Sequence, residues 1–253
     1  MKTALITGAS SGIGAEFART FAKRGYRLIL AARRRERLEA LREELGVPCT
    51  IYTADFSSRE DTRRFIRDIA GEKIDVFINN AGFGTCGTFL ETDLEKETDL
   101  IEVNCVAMHM LFKAVLRHMT GRNKGIILNV ASSAGLLPGG PYMAAYYASK
   151  AYVVSLTRAV ARELKELGSQ VYVCALCPGP VDTEFNEHAD VIFSLKGISA
   201  QTCVREAIAG MNRHAVIIVP TCKVQAGIFA SKLLPMPIVM DLVGRQQKSK
   251  FQE

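Results

Sequence analysis

The sequence predicts an α/β protein in which a doubly wound, seven-stranded parallel sheet carries helices on both faces. Short apolar runs alternate with longer amphipathic stretches along the chain, and this alternation is typical of right-handed βαβ crossovers. Several runs are apolar nearly throughout, as expected for strands that are buried on both faces. The 253 residues suffice for one large domain and are few for two, so we predict a single domain over 1–253.

The predicted elements follow in a regular order. Seven apolar runs are predicted as strands, at residues 3–7, 27–32, 49–53, 75–79, 125–130, 171–176 and 215–220. Six amphipathic stretches are predicted as helices, at residues 13–24, 34–44, 59–70, 93–119, 143–166 and 201–211. Residues 221–253 are predicted as a C-terminal helical extension, with short helices on either side of the Pro235-Met236-Pro237 break, because proline interrupts a helix interior.

The composition indicates a globular protein of the cytoplasm. Hydrophobic residues make up 48% and charged residues 23% of the chain, as in an ordered domain. The opening MKTALITGAS lacks the features of a secretory signal, and the seven cysteines are expected as reduced thiols. Cys174 and Cys177 have no second Cys or His pair for zinc, so no metal site is predicted. The net charge of +6 is modest, and no basic, aromatic-rich stripe indicates nucleic acid binding.

A glycine-rich loop follows the first predicted strand. In TGASSGIG, Gly8 and Gly12 allow a tight turn and a close approach of the backbone to a phosphate, and Gly14 allows the next helix to pack against the sheet. The helix N-terminus then faces the pyrophosphate of a dinucleotide. A Walker loop is excluded because no Gly-Lys-[Ser/Thr] sequence is present. A plain turn is the alternative for three glycines, and their place between a strand and a helix favours dinucleotide binding.

The end of the second strand bears on which dinucleotide is bound. An acidic residue at this point accepts hydrogen bonds from the adenosine ribose and selects NAD, but here the strand ends in Ala32 and is followed by Arg33. A guanidinium suits a 2′-phosphate, which it can bind through two hydrogen bonds. We therefore predict NADP, with NAD possible but disfavoured, and attribute the preference to Arg33. Arg34 and Arg35 are interpreted as the solvated start of a helix.

The stretch AAYYASK places a phenol and an ammonium group on one helical face. Tyr146 and Lys150 are four residues apart, a spacing at which side chains are neighbours. Such a pair can serve in proton transfer, although the same spacing also arises when the rings pack in a core and the lysine lies in water. Tyr142 has no lysine at this spacing, and Tyr147 is followed there by Ala151, so both are assigned to packing or to a pocket.

Taken together, the motifs resemble those of the short-chain dehydrogenase/reductase family. The motifs in chain order are TGASSGIG, NNAG at 79–82, NVASSAG at 129–135, YYASK at 146–150 and PGPVDT at 178–183. The likeness is to the shorter, single-domain branch of the family and covers Lys2 to about Val219. It implies a Rossmann fold, and the tail beyond Val219 looks like that of bacterial reductases of unassigned substrate.

The resemblance implies catalytic roles for four residues. Tyr146 would exchange a proton with the substrate oxygen, and Lys150 would bind the nicotinamide ribose and lower the pKa of the tyrosine. Ser133, chosen over Ser132 by its distance to the tyrosine, would hydrogen-bond the substrate oxygen. Asn104 would hold a water that links Lys150 to solvent.

The resemblance also implies the residues that bind the cofactor. Asp55 would contact the adenine, Asn79 the adenine ribose, and Thr183 the nicotinamide carboxamide, under a cover formed by Pro178 to Thr183. The full expected set is Gly8, Ser10, Ser11, Gly12, Ile13, Gly14, Arg33, Asp55, Asn79, Ala81, Gly82, Tyr146, Lys150, Pro178, Gly179, Val181 and Thr183. Some NADP-preferring members carry a second basic residue in the glycine loop, where this chain has Ser11.

The expected pocket is apolar and indicates the class of substrate. It is assigned to the stretches 82–85, 135–143 and 183–200, which supply Phe83, Leu136, Leu137, Tyr142, Phe185 and Phe193. His188 and Glu184 lie nearby, and the lone His188 is assigned to the surface rather than to catalysis. We expect an NADPH-dependent reductase of apolar or amphipathic ketones or aldehydes, reversible as an alcohol dehydrogenase. The alternatives are a 3-oxoacyl thioester reductase and a catalytically silent NADP-binding regulator.

Two surfaces are predicted to make further contacts. The helices at 93–119 and 143–166 are expected to pair across a two-fold axis in a homodimer or homotetramer, with Met108, Leu111, Phe112 and Val115 supplying apolar surface; the alternative is that all of these pack internally. The apolar tail at 222–244 is expected to form a lid over the pocket or a subunit contact. Peripheral membrane binding, supported by Arg245, Lys248 and Lys250, is the disfavoured alternative.

Overall fold

A computed structural model describes residues 1–184 and 197–248 of the chain. Its main sheet has seven parallel strands in the order β3-β2-β1-β4-β5-β6-β9. The strand bounds are β1 Thr3–Thr7, β2 Arg27–Ala32, β3 Cys49–Thr53, β4 Val76–Asn79, β5 Gly125–Val130, β6 Val171–Leu176 and β9 Ile217–Ile218, and a separate small sheet pairs β7 Val181–Asp182 with β8 Ile198–Ser199. The doubly wound Rossmann fold is confirmed.

The helices follow the predicted order. Their bounds are α1 Gly12–Lys23, α2 Arg35–Leu45, α3 Arg59–Asp68, α4 Leu94–Ile101, α5 Met108–Gly121, α6 Ala144–Glu166, α7 Ala200–Asn212, α8 Cys222–Ser231 and α9 Met236–Lys248. The single helix predicted at 93–119 is divided, because a π-helical segment, Glu102–Ala107, lies between α4 and α5. Such segments widen a helix by one residue per turn and are frequent at functional sites.

Each face of the sheet is covered by its own apolar core. Alternate residues of a strand point to opposite faces, so Ile6 packs with Phe17 of α1 on one face, whereas Leu5 packs with Leu111 and Phe112 of α5 on the other. All three of these helical side chains are almost fully buried. Both cores seal the strands from water and leave the carboxyl ends of β1, β4 and β5 free to carry a site.

The apolar residues that were expected to serve a neighbouring subunit lie inside the protein. Met108, Leu111, Phe112 and Val115 of α5 are all buried within this chain. The alternative of internal packing therefore holds for these four residues. The exposed large apolar side chains of α4 and α6 are Leu94, Ile101 and Tyr152.

The tail forms two helices, α8 and α9. Val239 and Val243 of α9 are buried against Tyr146 and Tyr147, so α9 covers the loops around the carboxyl end of the sheet. Pro237 lies in the first turn of α9, where a missing backbone N–H costs little, and the break falls before Met236. No helix within the described ranges is long and apolar enough to cross a membrane.

Candidate active site

One elongated cavity of about 570 Å³ lies at the carboxyl ends of the strands. It runs from the glycine loop at one end to α9 at the other. The predicted residues that line it are Gly8, Ser10, Ser11, Gly12, Ile13, Arg33, Asp55, Ala81, Gly82, Ser133, Tyr146, Lys150, Pro178, Gly179, Val181 and Thr183. Gly14, Asn79 and Asn104 were also predicted and do not line it. Strand order reverses between β1 and β4, and an open α/β sheet binds ligands at this point.

The glycine loop is shaped for a group that approaches its backbone. Gly8 and Gly12 have φ angles of 64° and 55°, in the left-handed region that glycine adopts without strain. A Cβ on Gly14 would lie 2.2 Å from the Gly8 carbonyl oxygen, so only glycine lets α1 pack this closely under the loop. The N-terminus of α1 therefore faces the cavity with its backbone N–H groups, as anion binding requires.

Asn80, the residue after β4, fixes this loop from the neighbouring strand. Its Nδ2 donates hydrogen bonds to the carbonyl oxygens of Thr7 (3.0 Å) and Gly8 (3.2 Å), and its backbone N–H donates to Thr7 Oγ1. Asn80 lines the cavity and was not among the predicted residues. The NNAG motif was the signal that could have found it.

The prediction that Asn79 contacts the adenine ribose is wrong in this structure. Asn79 is buried, and its Nδ2 donates to the Met108 carbonyl oxygen (3.0 Å) and to Asn129 Oδ1 (3.1 Å). Consecutive residues of an extended chain point in opposite directions, so the two asparagines of NNAG cannot both face the cavity. Asn79 joins β4, β5 and α5 instead, and Asn80 borders the cavity.

Tyr146 and Lys150 lie in the first two turns of α6 and line the cavity. Both side chains are buried, and Lys150 Nζ lies 5.7 Å from the centre of the Tyr146 ring. Lys150 Nζ donates a hydrogen bond of 3.1 Å to the Val130 carbonyl oxygen at the end of β5. The predicted pairing of phenol and ammonium on one helical face is confirmed.

Both serines line the cavity, and the one whose side chain hydrogen-bonds Tyr146 is Ser132, whereas Ser133 was the predicted choice. The Ser132 side chain hydrogen-bonds the Tyr146 hydroxyl, and Ser132 Oγ also accepts from the Ala134 N–H at 3.1 Å. Ser133 begins a 3-10 turn, Ser133–Leu136, and its backbone N–H donates to the Pro178 carbonyl oxygen. Counting back from the tyrosine crosses the irregular loop 137–143. Counting forward from β5 crosses only extended backbone and would have identified Ser132.

Burial dominates the protonation of both groups. Desolvation raises the pKa of Tyr146 to about 12, and the hydrogen bond from Ser132 offsets this only in part. Desolvation lowers the pKa of Lys150 to about 8, which leaves the amine mainly charged at neutral pH. Because burial disfavours the charged form of each group, Tyr146 is a neutral phenol at physiological pH. It can donate a proton, and the expected lowering of its pKa by Lys150 is not present in the protein alone.

Asn104 does not line the cavity but contacts residues that surround it. It lies in the π-helical segment, where its Nδ2 donates to the Phe83 carbonyl oxygen (2.9 Å) and to Ser149 Oγ (3.1 Å), and its Oδ1 accepts from the Phe83 N–H. A Cβ on Gly82 would lie 2.8 Å from Asn104 Oδ1 and 3.3 Å from Lys150 Nζ. Glycine is thus required for this approach, and the link from Asn104 to Lys150 through water stays a prediction.

Arginines crowd the end of the cavity beside the glycine loop. Arg33 is exposed on the cavity wall and makes no ion pair with a described residue. Arg34 was interpreted as solvated, yet it also lines the cavity, and its guanidinium donates to Ser11 Oγ (2.9 Å), Ser10 Oγ (3.2 Å) and Glu184 Oε2 (2.9 Å). Arg37 pairs with the same carboxylate at 2.6 Å. Arg37 and Arg34 hold the pKa of Glu184 below its usual range.

The residues present fit a phosphorylated dinucleotide. The glycine loop leaves no room for side chains, the N–H groups of α1 face the cavity, and two guanidinium groups lie beside them. Asp55 lines the same end, and its Oδ1 accepts from the backbone N–H and the hydroxyl of Ser57 at 3.0 Å each. These features match the anionic and sugar groups of such a cofactor.

The opposite end of the cavity is lined mainly by apolar side chains. Phe83 and Leu137 lie there as predicted, whereas Leu136 and Tyr142 were also expected and do not line it. Met143 lies in the predicted stretch 135–143 and lines this end, and the lining residues outside the predicted stretches include Lys96, Asp99, Gln246 and Gln247. Phe185, His188 and Phe193 lie outside the described residues. Because α9 contributes two glutamines to the wall, the tail takes the position of the predicted lid.

Comparison with known proteins gives a consistent family assignment. The profile of the short chain dehydrogenase family matches residues 2–190. A very-long-chain 3-oxoacyl-CoA reductase of Anas platyrhynchos is 32% identical over 97% of this chain and 80% of its own length. The protein of the same name from Neurospora crassa is 35% identical over 67% of this chain. That match covers 54% of the Neurospora protein, so the chain spans about half the length of this relative.

Solved structures share the fold over most of the chain. A short-chain dehydrogenase from Sphingobium yanoikuyae in complex with NADPH is 34% identical, with a TM-score of 0.83 over 92% of both chains. A bulky-bulky ketone specific alcohol dehydrogenase from Comamonas testosteroni is 30% identical, with a TM-score of 0.76 over 92% of both chains. A Burkholderia phymatum enzyme in complex with NAD is 25% identical, with a TM-score of 0.81 over 90% of this chain and 91% of its own.

Proposed function

This chain belongs to the short-chain dehydrogenase/reductase family, and we propose that it is an NADP(H)-dependent oxidoreductase acting on an apolar or amphipathic carbonyl compound or the corresponding secondary alcohol. The observation that carries the proposal is the hydrogen-bonded pair of Tyr146 and Ser132, buried in a cavity between a phosphate-binding loop and an apolar wall. An oxidoreductase of this family needs a proton donor beside a cofactor, and the buried pair supports assigning that role to Tyr146.

Different residues of the cavity would bind different parts of the cofactor. The glycine loop and the N-terminus of α1 would hold the pyrophosphate, and Arg33 and Arg34 the 2′-phosphate. Asp55 lies at the adenosine end, and Lys150 and Thr183 line the cavity on the way to Tyr146. The nicotinamide, when bound, supplies or accepts the hydride. The relative solved with NADPH supports NADP, and the one solved with NAD keeps NAD as the weaker alternative.

The proton is the part of the reaction that this chain's residues carry. In reduction, Tyr146 donates its phenolic proton to the carbonyl oxygen as that oxygen gains charge, and Ser132 hydrogen-bonds the same oxygen and fixes its position. The charged amine of Lys150 stabilises the phenolate left on Tyr146. In alcohol oxidation the proton returns to Tyr146. This direction requires the phenolate on Tyr146, so we expect it to be favoured as the pH rises.

A panel of carbonyl compounds tests the proposal. Purified protein is mixed with NADPH or NADH and with aliphatic, aryl and bulky ketones and aldehydes, and the loss of reduced cofactor is followed by absorbance. We expect turnover with at least one apolar ketone and a lower KM for NADPH than for NADH. Tight NADPH binding without turnover of any member would favour the catalytically silent regulator.

A 3-oxoacyl thioester reductase is the second candidate. The name of the Anas and Neurospora relatives supports it, and the apolar wall formed by Phe83, Leu137 and Met143 can accommodate an acyl chain. The Comamonas relative, named for bulky ketones, supports the first candidate. Comparing kcat/KM for 3-oxoacyl-CoA esters of increasing chain length with that for the best simple ketone decides between them.

Assembly and location complete the proposal. We propose one domain, a homodimer or homotetramer paired through α4, α5 and α6, and residence in the cytoplasm. Exposed Ile101 and Tyr152 on these helices and the absence of disulfides among the described cysteines support it. Light scattering at micromolar concentration that gives a monomer mass would contradict the assembly.

A further inference from the structure

One polar side chain interrupts the apolar end of the cavity. Gln247 of α9 lines the cavity wall, and only 3% of its surface is exposed. It lies on the same helix as Val239 and Val243, which pack against Met143 and Tyr146. Glutamine is seldom so fully buried, because its amide loses hydrogen bonds to water unless the protein replaces them.

The protein replaces those hydrogen bonds only in part. Gln247 Nε2 donates a hydrogen bond of 2.6 Å to the hydroxyl oxygen of Tyr147. The carbonyl oxygen of the same amide, Oε1, is buried and has no hydrogen-bond partner among the described residues. A buried acceptor without a donor is rare in a folded protein and calls for a cause, such as a ligand that supplies the donor.

The hydrogen bond to Tyr147 uses the amide nitrogen of Gln247. Tyr147 adjoins Tyr146 on α6, and the centres of the two rings are 6.4 Å apart. Burial and the neighbouring Tyr146 raise the pKa of Tyr147, so its hydroxyl is neutral and holds the Gln247 amide over the whole working pH range. With Nε2 engaged, the oxygen is the end of the amide that is left to receive a donor.

We propose that Gln247 Oε1 accepts a hydrogen bond from a hydroxyl or amide N–H group that the substrate carries apart from its reacting carbonyl. The substrate is then an amphipathic molecule with an apolar body and a second, uncharged polar group. A substrate with a purely hydrocarbon end would leave Oε1 unpaired, and a carboxylate there would repel it. This proposal rests on the proposed function and narrows the substrate class of that same site.

The test uses pairs of ketones that differ only in the second polar group. Each pair joins a hydroxyaryl ketone with its methylaryl counterpart, with the substituent moved to successive ring positions. We expect the wild-type kcat/KM to favour the hydroxyl member of at least one pair about tenfold, as one hydrogen bond allows. In Gln247→Leu, kcat/KM should fall for the hydroxyl member and stay unchanged for the methyl member, so that the ratio between the two approaches one. Gln225→Leu, which changes a glutamine of α8 outside the cavity, should keep the ratio.

Binding supplies a readout that does not depend on turnover. In the NADPH-saturated Tyr146→Phe protein, the hydroxyl member should raise the melting temperature more than its counterpart, and adding Gln247→Leu should remove that difference. The inference would be overturned if Gln247→Leu left both the kcat/KM ratio within each pair and the difference in melting temperature unchanged. It would also be overturned if the substitution lowered kcat/KM equally for both members of a pair, since Gln247 would then be a purely structural residue. NADPH binding without turnover or thermal shift by any ketone would instead overturn the proposed function.

Discussion

The end of the cavity that we assign to the cofactor is formed by backbone and charged groups, whereas the end that we assign to the substrate is formed by side chains from distant parts of the chain. At the first end, Gly8, Gly12 and Gly14 clear space for a phosphate beside α1, and Arg33 and Arg34 stand next to it. At the second, α6 meets the tail, so that Tyr147 contacts Gln247 across 100 residues of sequence. The first end suits a cofactor shared by many enzymes, and the second suits one particular substrate.

Tyr146 lies where the two ends meet, and its removal should have the largest effect. Tyr146→Phe deletes the transferable proton while keeping the ring, so we expect kcat to fall by about a hundred- to ten-thousandfold, the range of general acid catalysis. NADPH affinity, measured by fluorescence titration, should stay within a few fold, because the cofactor end is untouched. Tyr147→Phe is the matched control and should keep catalysis of simple ketones. A Tyr146→Phe protein with more than a tenth of the wild-type kcat would show that the proton comes from elsewhere.

Two adjacent serines offer a second test at the same place. Ser132→Ala removes the hydroxyl that hydrogen-bonds Tyr146, and we expect kcat to fall by about ten- to a hundredfold, as for loss of a charge-assisted hydrogen bond in the transition state. Ser133→Ala changes a side chain outside that pair and should change kcat by less than threefold. The reverse order of effects would restore the assignment to Ser133.

The fold was predictable because its signals are local. Five strands, β1, β2, β3, β5 and β6, have the predicted bounds, since a buried parallel strand is a short apolar run and its neighbours are polar or glycine-rich. The seventh strand was predicted at 215–220, yet β9 contains only Ile217–Ile218. It pairs with β6 alone at the edge of the sheet, through Ile217 and Ile218.

The site was predictable to the extent that it depends on local geometry. Residues four apart, such as Tyr146 and Lys150, share a face of any helix that contains them. Their pairing therefore followed from the spacing once a helix was predicted there. Asn79 was assigned to the cavity because the sequence does not show to which side of the extended chain its side chain points. Ser132 was passed over because the number of residues between the serine and Tyr146 includes the irregular loop 137–143. Gln247 could not be found, because the apolar pattern at 222–244 predicts a lid or a subunit contact but does not indicate which polar residue beyond it meets α6.

Removing α9 should weaken substrate binding while leaving cofactor binding nearly unchanged. A chain that stops after Lys232 loses Gln246 and Gln247 from the cavity wall and Val243 from the apolar cluster behind it. We therefore expect the KM for the best ketone to rise by about tenfold or more, as for loss of about 1.4 kcal/mol of substrate contact. NADPH affinity should change by less than threefold. The melting temperature should fall, because α9 buries apolar surface. An equal loss of NADPH affinity would mean that α9 supports the whole cavity.

At the cofactor end, Arg33 and Arg34 are expected to select NADPH. Each alanine substitution removes a charged partner for the 2′-phosphate, so NADPH affinity should fall by about ten- to a hundredfold, equivalent to 1.5–3 kcal/mol. NADH affinity should barely change for Arg33→Ala, since that side chain makes no ion pair with a described residue. Isothermal titration with both cofactors measures this, and Arg24→Ala, outside the cavity lining, is the control. Equal losses for both cofactors would make the arginines structural.

Neutralising Glu184 should have the smallest effect of these substitutions, and it should raise NADPH affinity, whereas the arginine substitutions lower it. Its carboxylate occupies Arg34 and Arg37 beside the glycine loop, where it competes with a phosphate for the same guanidinium and repels it. Glu184→Gln keeps the shape and removes the charge, so we expect NADPH to bind about two- to fivefold more tightly, a modest gain because all three side chains are partly exposed and screened by water. The gain should shrink at high salt and be smaller for NADH, and Glu44→Gln, which breaks the surface pair with Arg19, should leave both cofactors unaffected. Weaker NADPH binding by Glu184→Gln would mean that the carboxylate orients Arg34 for the phosphate. In that case charge complementarity at the cofactor end, like the amide of Gln247 at the substrate end, would depend on a partner that holds the binding group in place.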